Sequence, residues 1–232
     1  MNFDTSAHLR RATGRAKSDV ANKLVSMFLH GISRRLTDSL GLAVTDSAYT
    51  AAVAETFGHN CAYCNRSLEH DRLAVEHLDG MNRLRVGLHI PGNVVLACRR
   101  CNSEKRRDDS LRQLVLAETG WESFLSHTDS KCGLGCKTCD YWRLLWPADN
   151  ERQERLLDVH IKISGFRARY PKSMEFSEVA RRQLRPLLDK LYRDCQRFAT
   201  ETIEGAVDDA VQKLYQNSTL LVSATSKNST EI

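Results

Sequence analysis

Two matched cysteine pairs, Cys61-Ala-Tyr-Cys64 and Cys98-Arg-Arg-Cys101, carry the strongest chemical signal in the chain. Four thiolates suit a tetrahedral Zn²⁺ ion, and a two-residue spacer lets one tight turn present both sulfurs of a pair. The gap between the pairs is 33 residues, longer than in a simple zinc ribbon. Zinc would therefore pin the ends of a long loop. In a segment with few large apolar residues, that bond supplies much of the folding energy. The loop holds Glu76, His77, Asp79 and Asn93, and Asn102 directly follows the last cysteine.

A second group follows. His127, Cys132, Cys136 and Cys139 fall within thirteen residues, and the Gly133-Leu-Gly135 insert lets the chain turn tightly around an ion. A second structural zinc is expected, with His127 ranked ahead of Cys195 as fourth ligand. Cys195 sits on an apolar helix stripe, where a buried core cysteine is the usual case. The spacing Cys132-x3-Cys136-x2-Cys139 also matches the cluster motif of radical-SAM enzymes. Those enzymes need a large α/β barrel, and no run of alternating strands and helices appears here. Without a secretory signal, paired cysteines indicate metal ligation rather than disulfides.

The elements that position these residues follow from periodicity. Residues 73–78 suit a short strand and 94–97 a second, with a helix from about 102 to 118. Upstream, Val20, Leu24, Met27, Phe28 and Ile32 predict a helix over 18–40, capped by Ser18 or Asp19. Another helix spans about 46–56 and ends near Gly58. Residues 121–149 read as irregular, with Trp121, Trp142 and Trp146 as core packing. Over 175–215, Leu184, Leu187, Leu188, Leu191, Cys195 and Phe198 form an apolar helical stripe, with Pro186 as a boundary or kink. The tail 217–232, rich in Ser, Thr and Asn, reads as disordered. The expected divisions are a helical segment 1–58, a core 59–118, a Cys-rich segment 119–149, a helical region 150–216 and the tail. The fold class is α+β, mainly α.

Glu76-His77, Asn93 before an apolar strand, and Cys101-Asn102-x-x-Lys105 at a helix start, interleaved with both CxxC pairs, resemble the HNH nucleases. The resemblance covers about fifty of 232 residues. It implies a small ββα-metal core flanked by helices, and hydrolysis of a nucleic-acid phosphodiester. It assigns His77 as general base, Asn93 as the residue orienting that imidazole, and Glu76 with Asn102 as ligands of a catalytic Mg²⁺ or Mn²⁺. Asp79 is a rival ligand. Glu76 stands where Asp is frequent, and Asn102 where His is common. His59, His70 and His89 lie outside the motif. His89 is expected at the surface, with phosphate contact or closeness to the metal as the alternative.

The chain carries 34 Lys and Arg against 29 Asp and Glu, a net charge of +5. This permits a nucleic-acid partner without demanding one. From Cys61 to Arg107 there are nine basic and five acidic residues. Beside the motif, Arg83, Arg85, Arg99, Arg100, Lys105, Arg106 and Arg107 become expected phosphate contacts, with a structural role as the alternative for Lys105. DNA is the expected partner, RNA a second polymer of the same chemistry, and the helical flanks could dimerise or bind a partner protein. No segment reads as a signal peptide or membrane span, so a cytoplasmic location is expected. The family points to restriction or phage defence. The rival from another class is a non-catalytic zinc-dependent nucleic-acid-binding protein or a subunit of a defence complex.

Overall fold

The computed structural model describes residues 5–68, 73–108, 120–133 and 135–217, with the side chains of 5–17, 107–108 and 217 outside the description. The chain divides into two units, Val25–Leu188 and a second formed by Met1–Leu24 with Asp189–Ile232. Helices dominate: α1 (Thr5–Leu40), α2 (Ser47–Phe57), α3 (Arg99–Asp108), α4 (Gly120–Leu125), α5 (Asp129–Cys132), α6 (Lys137–Leu145), α7 (Asp149–Ala168) and α8 (Pro171–Asn217). Two strands, β1 (Leu73–His77) and β2 (Val94–Cys98), lie between α2 and α3. The expected class, mainly α with a small ββα core, is the one observed. No helix among the described residues is long and apolar enough to cross a membrane.

The strands pair antiparallel, with Leu73 opposite Cys98 and His77 opposite Val94. β2 is mostly buried, as its Val-Val-Leu-Ala run requires, whereas β1 leaves Leu73 and Val75 exposed. α3 follows β2 directly and packs on both strands. Around this unit lies the core of the larger unit, in which Tyr49, Phe57, Leu78, Val95, Trp121, Phe124, Trp142 and Phe166 are buried. The tryptophans pack as expected: Trp121 and Trp142 are buried, and Trp146 stacks on Trp142. Tyr49 of α2 ties itself to the strand start by donating to the Val94 carbonyl at 2.5 Å and accepting from the Gly92 N–H at 3.1 Å.

Three expectations change. α1 buries Ala21, Val25, Leu29 and Ser33, while Val20, Leu24 and Met27 are exposed. Both stripes have helical spacing, and packing selected the one rotated by a single residue. The segment 121–149 is largely helical, in pieces of 4–9 residues from α5 and α6, too short for periodicity to reveal. α8 continues past Pro186. Proline removes its own hydrogen bond to the carbonyl four residues back; here that residue, Arg182, is exposed, so water can satisfy the freed group. Of the stripe on α8, Leu188 and Cys195 are buried while Leu187 and Phe198 are exposed. The helix expected to run to about residue 118, and the tail beyond 217, extend outside the described residues.

The long loop between the strands folds back on itself. Gly87 donates to the Gly80 carbonyl at 3.0 Å, and a Cβ at position 87 would stand 1.8 Å from the Asp79 carbonyl oxygen. Its neighbour Val86 is buried at φ 54°, a conformation that costs a β-branched residue energy and persists only where its surroundings dictate it. Gly87→Ala is therefore expected to lower stability by roughly 3 kcal/mol. Denaturant unfolding measures this, and an unchanged midpoint would refute the close backbone approach.

Candidate metal centres and nuclease site

Cys61, Cys64, Cys98 and Cys101 converge, with their sulfurs all within 4.8 Å of one another. Cys64 Sγ and Cys98 Sγ are 3.9 Å apart. Zinc–sulfur bonds of about 2.3 Å in a tetrahedron separate the sulfurs by about 3.8 Å, so the group fits Zn²⁺. The scaffold explains the convergence. Cys61 and Cys64 sit on the turn after α2, closed by the Cys61 N–H to Arg66 carbonyl bond. Cys98 ends β2 and Cys101 opens α3, its N–H donating to Cys98 Sγ at 3.4 Å. Tyr141 of α6 lies 2.9 Å from Cys101 Sγ, placed to donate its hydroxyl hydrogen to a thiolate. Without a cation the sulfurs cannot all ionise: hydrogen bonding from Cys101 holds Cys98 far below the usual thiol range, and hydrogen bonding with Cys61 pushes Cys101 far above it.

His127, Cys132, Cys136 and Cys139 form a second such group. His127 Nδ1 is 3.2 Å from Cys132 Sγ and 3.3 Å from Cys136 Sγ. Gly133 and Gly135 turn the chain between the cysteines at φ 71° and 87°, which suits glycine. The fourth donor beside the three thiols is His127. Cys195 lies on α8 in the other unit and is not in the group.

His77 ends β1, half-buried. Successive side chains of a strand face opposite ways, so Glu76 points into the core. Its Oε1 accepts from Lys105 Nζ at 2.6 Å and from the Tyr63 hydroxyl at 3.2 Å, and both members of the ion pair are 3% exposed. The expected metal-ligand role of Glu76 is corrected accordingly, because its carboxylate is engaged on the far face of the strand from His77. Lys105 also donates to the His77 carbonyl at 2.8 Å, which realises its structural alternative. Asp79 is buried; its Oδ2 is bound to Arg167 of α7 at 2.9 Å and Arg181 of α8 at 3.4 Å, while its Oδ1 is buried without a hydrogen-bond partner among the described residues. Asn102 is half-buried, one turn ahead of Lys105 on the same side of α3.

Asn93 does not orient His77 through a hydrogen bond. Its amide nitrogen donates to the carbonyls of Leu88 at 2.7 Å and Asp79 at 3.2 Å. Its amide oxygen accepts from the Asp79 N–H at 2.8 Å and Arg167 at 3.4 Å. These contacts use all four positions of the amide. Asn93 is buried and holds the loop rather than the imidazole.

The contact that does reach His77 comes from His89, whose Nδ1 is 2.9 Å from His77 Nε2. His30 of α1 completes a histidine cluster, its ring centre 5.1 Å from that of His89 and 6.0 Å from that of His77. Burial above all, then the neighbouring His89, His30 and Lys105, pushes the pKa of His77 down to about 3, so its imidazole is neutral near pH 7. Burial and His30 lower His89 as well. The His89 N–H donates to Ser33 Oγ at 2.8 Å, and Ser33 donates to the Leu29 carbonyl, fixing loop to helix. His89, expected at the surface, is half-buried against His77. His30 carried no sequence signal, because its approach depends on how α1 packs.

Residues 61–108 match the family model described as HNH endonuclease. The match covers 48 of the 232 residues, and over this HNH segment the chain is similar to that family. No curated protein and no solved structure matches the chain. The HNH segment spans both CxxC pairs, both strands and α3, whereas His30, Arg167 and Arg181 come from outside it.

The basic rim of the HNH segment is smaller than expected. Arg99, Arg100 and Arg106 are exposed and Arg83 is half-buried; Arg100 also lies over the Tyr141 ring. Arg85 is 2% exposed and Lys105 is paired with Glu76, so neither presents a charge to a polyanion. The side chain of Arg107 lies outside the described residues. Two predictions follow from this geometry. Metal analysis of purified protein should find two zinc ions per chain, one of them lost in Cys132→Ser and none in Cys195→Ser; zinc loss in the latter would displace His127 as fourth donor. Lys105→Met should cost about 3–5 kcal/mol by stranding a buried carboxylate, with much of this recovered when Glu76→Leu is added. Equal destabilisation of single and double variants would show the ion pair to be unimportant.

Proposed function

We propose that the HNH segment makes this protein a metal-dependent endonuclease that hydrolyses DNA phosphodiester bonds, with His77 at the reaction centre. The observation that carries this reading is the position of His77 within the family match, at the end of β1 opposite Val94 and in the same strand–strand–helix segment as the four-cysteine group and Asn102. Neutral near pH 7, its imidazole has an electron pair available to a proton or to an ion. Exposed Arg99, Arg100 and Arg106 offer charge to flanking phosphates. Mg²⁺ and Mn²⁺ take oxygen ligands; of the two candidate carboxylates Glu76 is held in a buried pair with Lys105, whereas Asp79, the rival ligand, keeps its buried Oδ1 without a hydrogen-bond partner among the described residues. Restriction or phage defence is the biological setting we favour, by analogy with the family alone.

Incubating supercoiled plasmid with full-length protein and Mg²⁺, Mn²⁺, Co²⁺ or Ni²⁺ tests this. Wild type should nick or linearise DNA with at least one ion. His77→Ala should cut at least about a hundredfold more slowly, with zinc content and circular dichroism unchanged. DNA binding without cutting under every ion would instead support the non-catalytic binding protein. Equal cutting by wild type and His77→Ala would remove His77 from the reaction.

A further inference from the structure

We infer that the outer half of α8 is covered by the outer half of α1 from a second copy of this chain, so that two copies close into a dimer. Both halves belong to the smaller unit, formed by Met1–Leu24 and Asp189–Ile232. From Glu201 to Gln216 every residue of α8 is exposed. Within this stretch Ile203, Ala206, Val207, Ala210, Val211 and Leu214 recur at three- and four-residue spacing and form one apolar stripe. The stripe continues the face on which Cys195 and Ala199 are buried. By itself this stretch is a weak helix. Gly205 and the β-branched Thr202, Ile203, Val207 and Val211 all lower helix propensity, so packing must hold it.

The chain's own α1 is too short to cover the stripe. The end of α1 and the start of α8 line one cavity, with Leu40, Tyr170 and Pro171 among its walls. From that shared end, at 1.5 Å per residue, the 36 residues of α1 run about 53 Å and the 47 of α8 about 69 Å. An α1 lying fully alongside would stop level with about position 206, short of Val207, Val211 and Leu214. Charge then selects the occupant. From Glu201 to Asn217, Glu201, Glu204, Asp208 and Asp209 stand against Lys213 alone, a net of −3. That repels a nucleic acid, and it repels a second α8 as well. The tail after Asn217 has one lysine and one glutamate, so it brings no net charge. The start of α1 is the complement. Residues 1–24 hold Arg10, Arg11, Arg15, Lys17 and Lys23 against Asp4 and Asp19, a net of +3, and Val20 and Leu24 are exposed there. Exchange between two copies satisfies both surfaces, each copy giving one α1 and receiving one. Such a contact closes on a two-fold axis and brings four helices together. It does not rest on the nuclease reading.

Sedimentation equilibrium on the full-length protein, across micromolar concentrations, should give twice the 26.3 kDa mass of the chain. A monomer throughout that range overturns the inference. Val207→Asp combined with Leu214→Asp, both at exposed positions, should raise the dimer dissociation constant at least about a hundredfold, with zinc content and circular dichroism unchanged. A dimer of wild-type affinity in this variant puts the interface elsewhere and overturns the stripe. Two charge-reversed proteins then identify the occupant: one with Arg10→Glu, Arg11→Glu and Arg15→Glu, the other with Glu204→Lys, Asp208→Lys and Asp209→Lys. Each alone should be monomeric, and an equimolar mixture should form a one-to-one heterodimer. Dimerisation of the first protein alone overturns the role of α1, because α8 then pairs without it. Two monomers that stay apart when mixed place the charge contact within one chain, which overturns the exchange.

Discussion

Four thiolates cannot share a space in which two of them stand 3.9 Å apart unless a cation neutralises them. That requirement organises the HNH segment. Through Cys61 and Cys64 it anchors the turn leaving α2; through Cys98 it ends β2; through Cys101 it starts α3 one turn later. β2 and α3 thereby become one rigid corner, and β1 is held against it by antiparallel pairing. The second four-donor group joins this frame through α6, which carries Cys139 in one cluster and Tyr141 against a sulfur of the other. Zinc at either site thus bears on the packing of the same helix.

Charge burial is the second organising constraint. A carboxylate removed from water must be paired or it neutralises. Glu76 finds Lys105 from α3, and Asp79 finds Arg167 and Arg181 from α7 and α8. These pairs cross long sequence separations and fasten the loop between the strands on two sides. The helical flank is consequently part of what holds the site: α7 and the first half of α8 meet the loop inside the larger unit. Lys105 holds the end of β1 by two bonds, to the Glu76 carboxylate and to the His77 carbonyl.

Much of the frame was legible in the residues. The CxxC pairs, the Val-Val-Leu-Ala strand, the capping glycine after α2 and the Cys101-Asn102-x-x-Lys105 helix start each have a local physical cause, and each appears where expected. The buried side of α1 was not legible, because two stripes one residue apart satisfy the same period. The short helices of the Cys-rich segment were hidden for want of length, and α8 passes through Pro186, where the sequence offered a boundary or kink. In the site, the contacts of Glu76, Asn93 and Arg85 were not legible for one reason: residue type states what a group can bond, while burial and neighbours decide what it does bond.

The two sulfur-rich groups therefore belong to the sequence by itself. Their ligands lie close along the chain or in matched pairs, and few other bonding partners compete for a thiolate set. The histidine cluster belongs to tertiary structure. His30, His77 and His89 come together where α1 docks on the loop, with Ser33 accepting from the His89 N–H. No local spacing encodes that arrangement, since it is settled by which face of a helix packs.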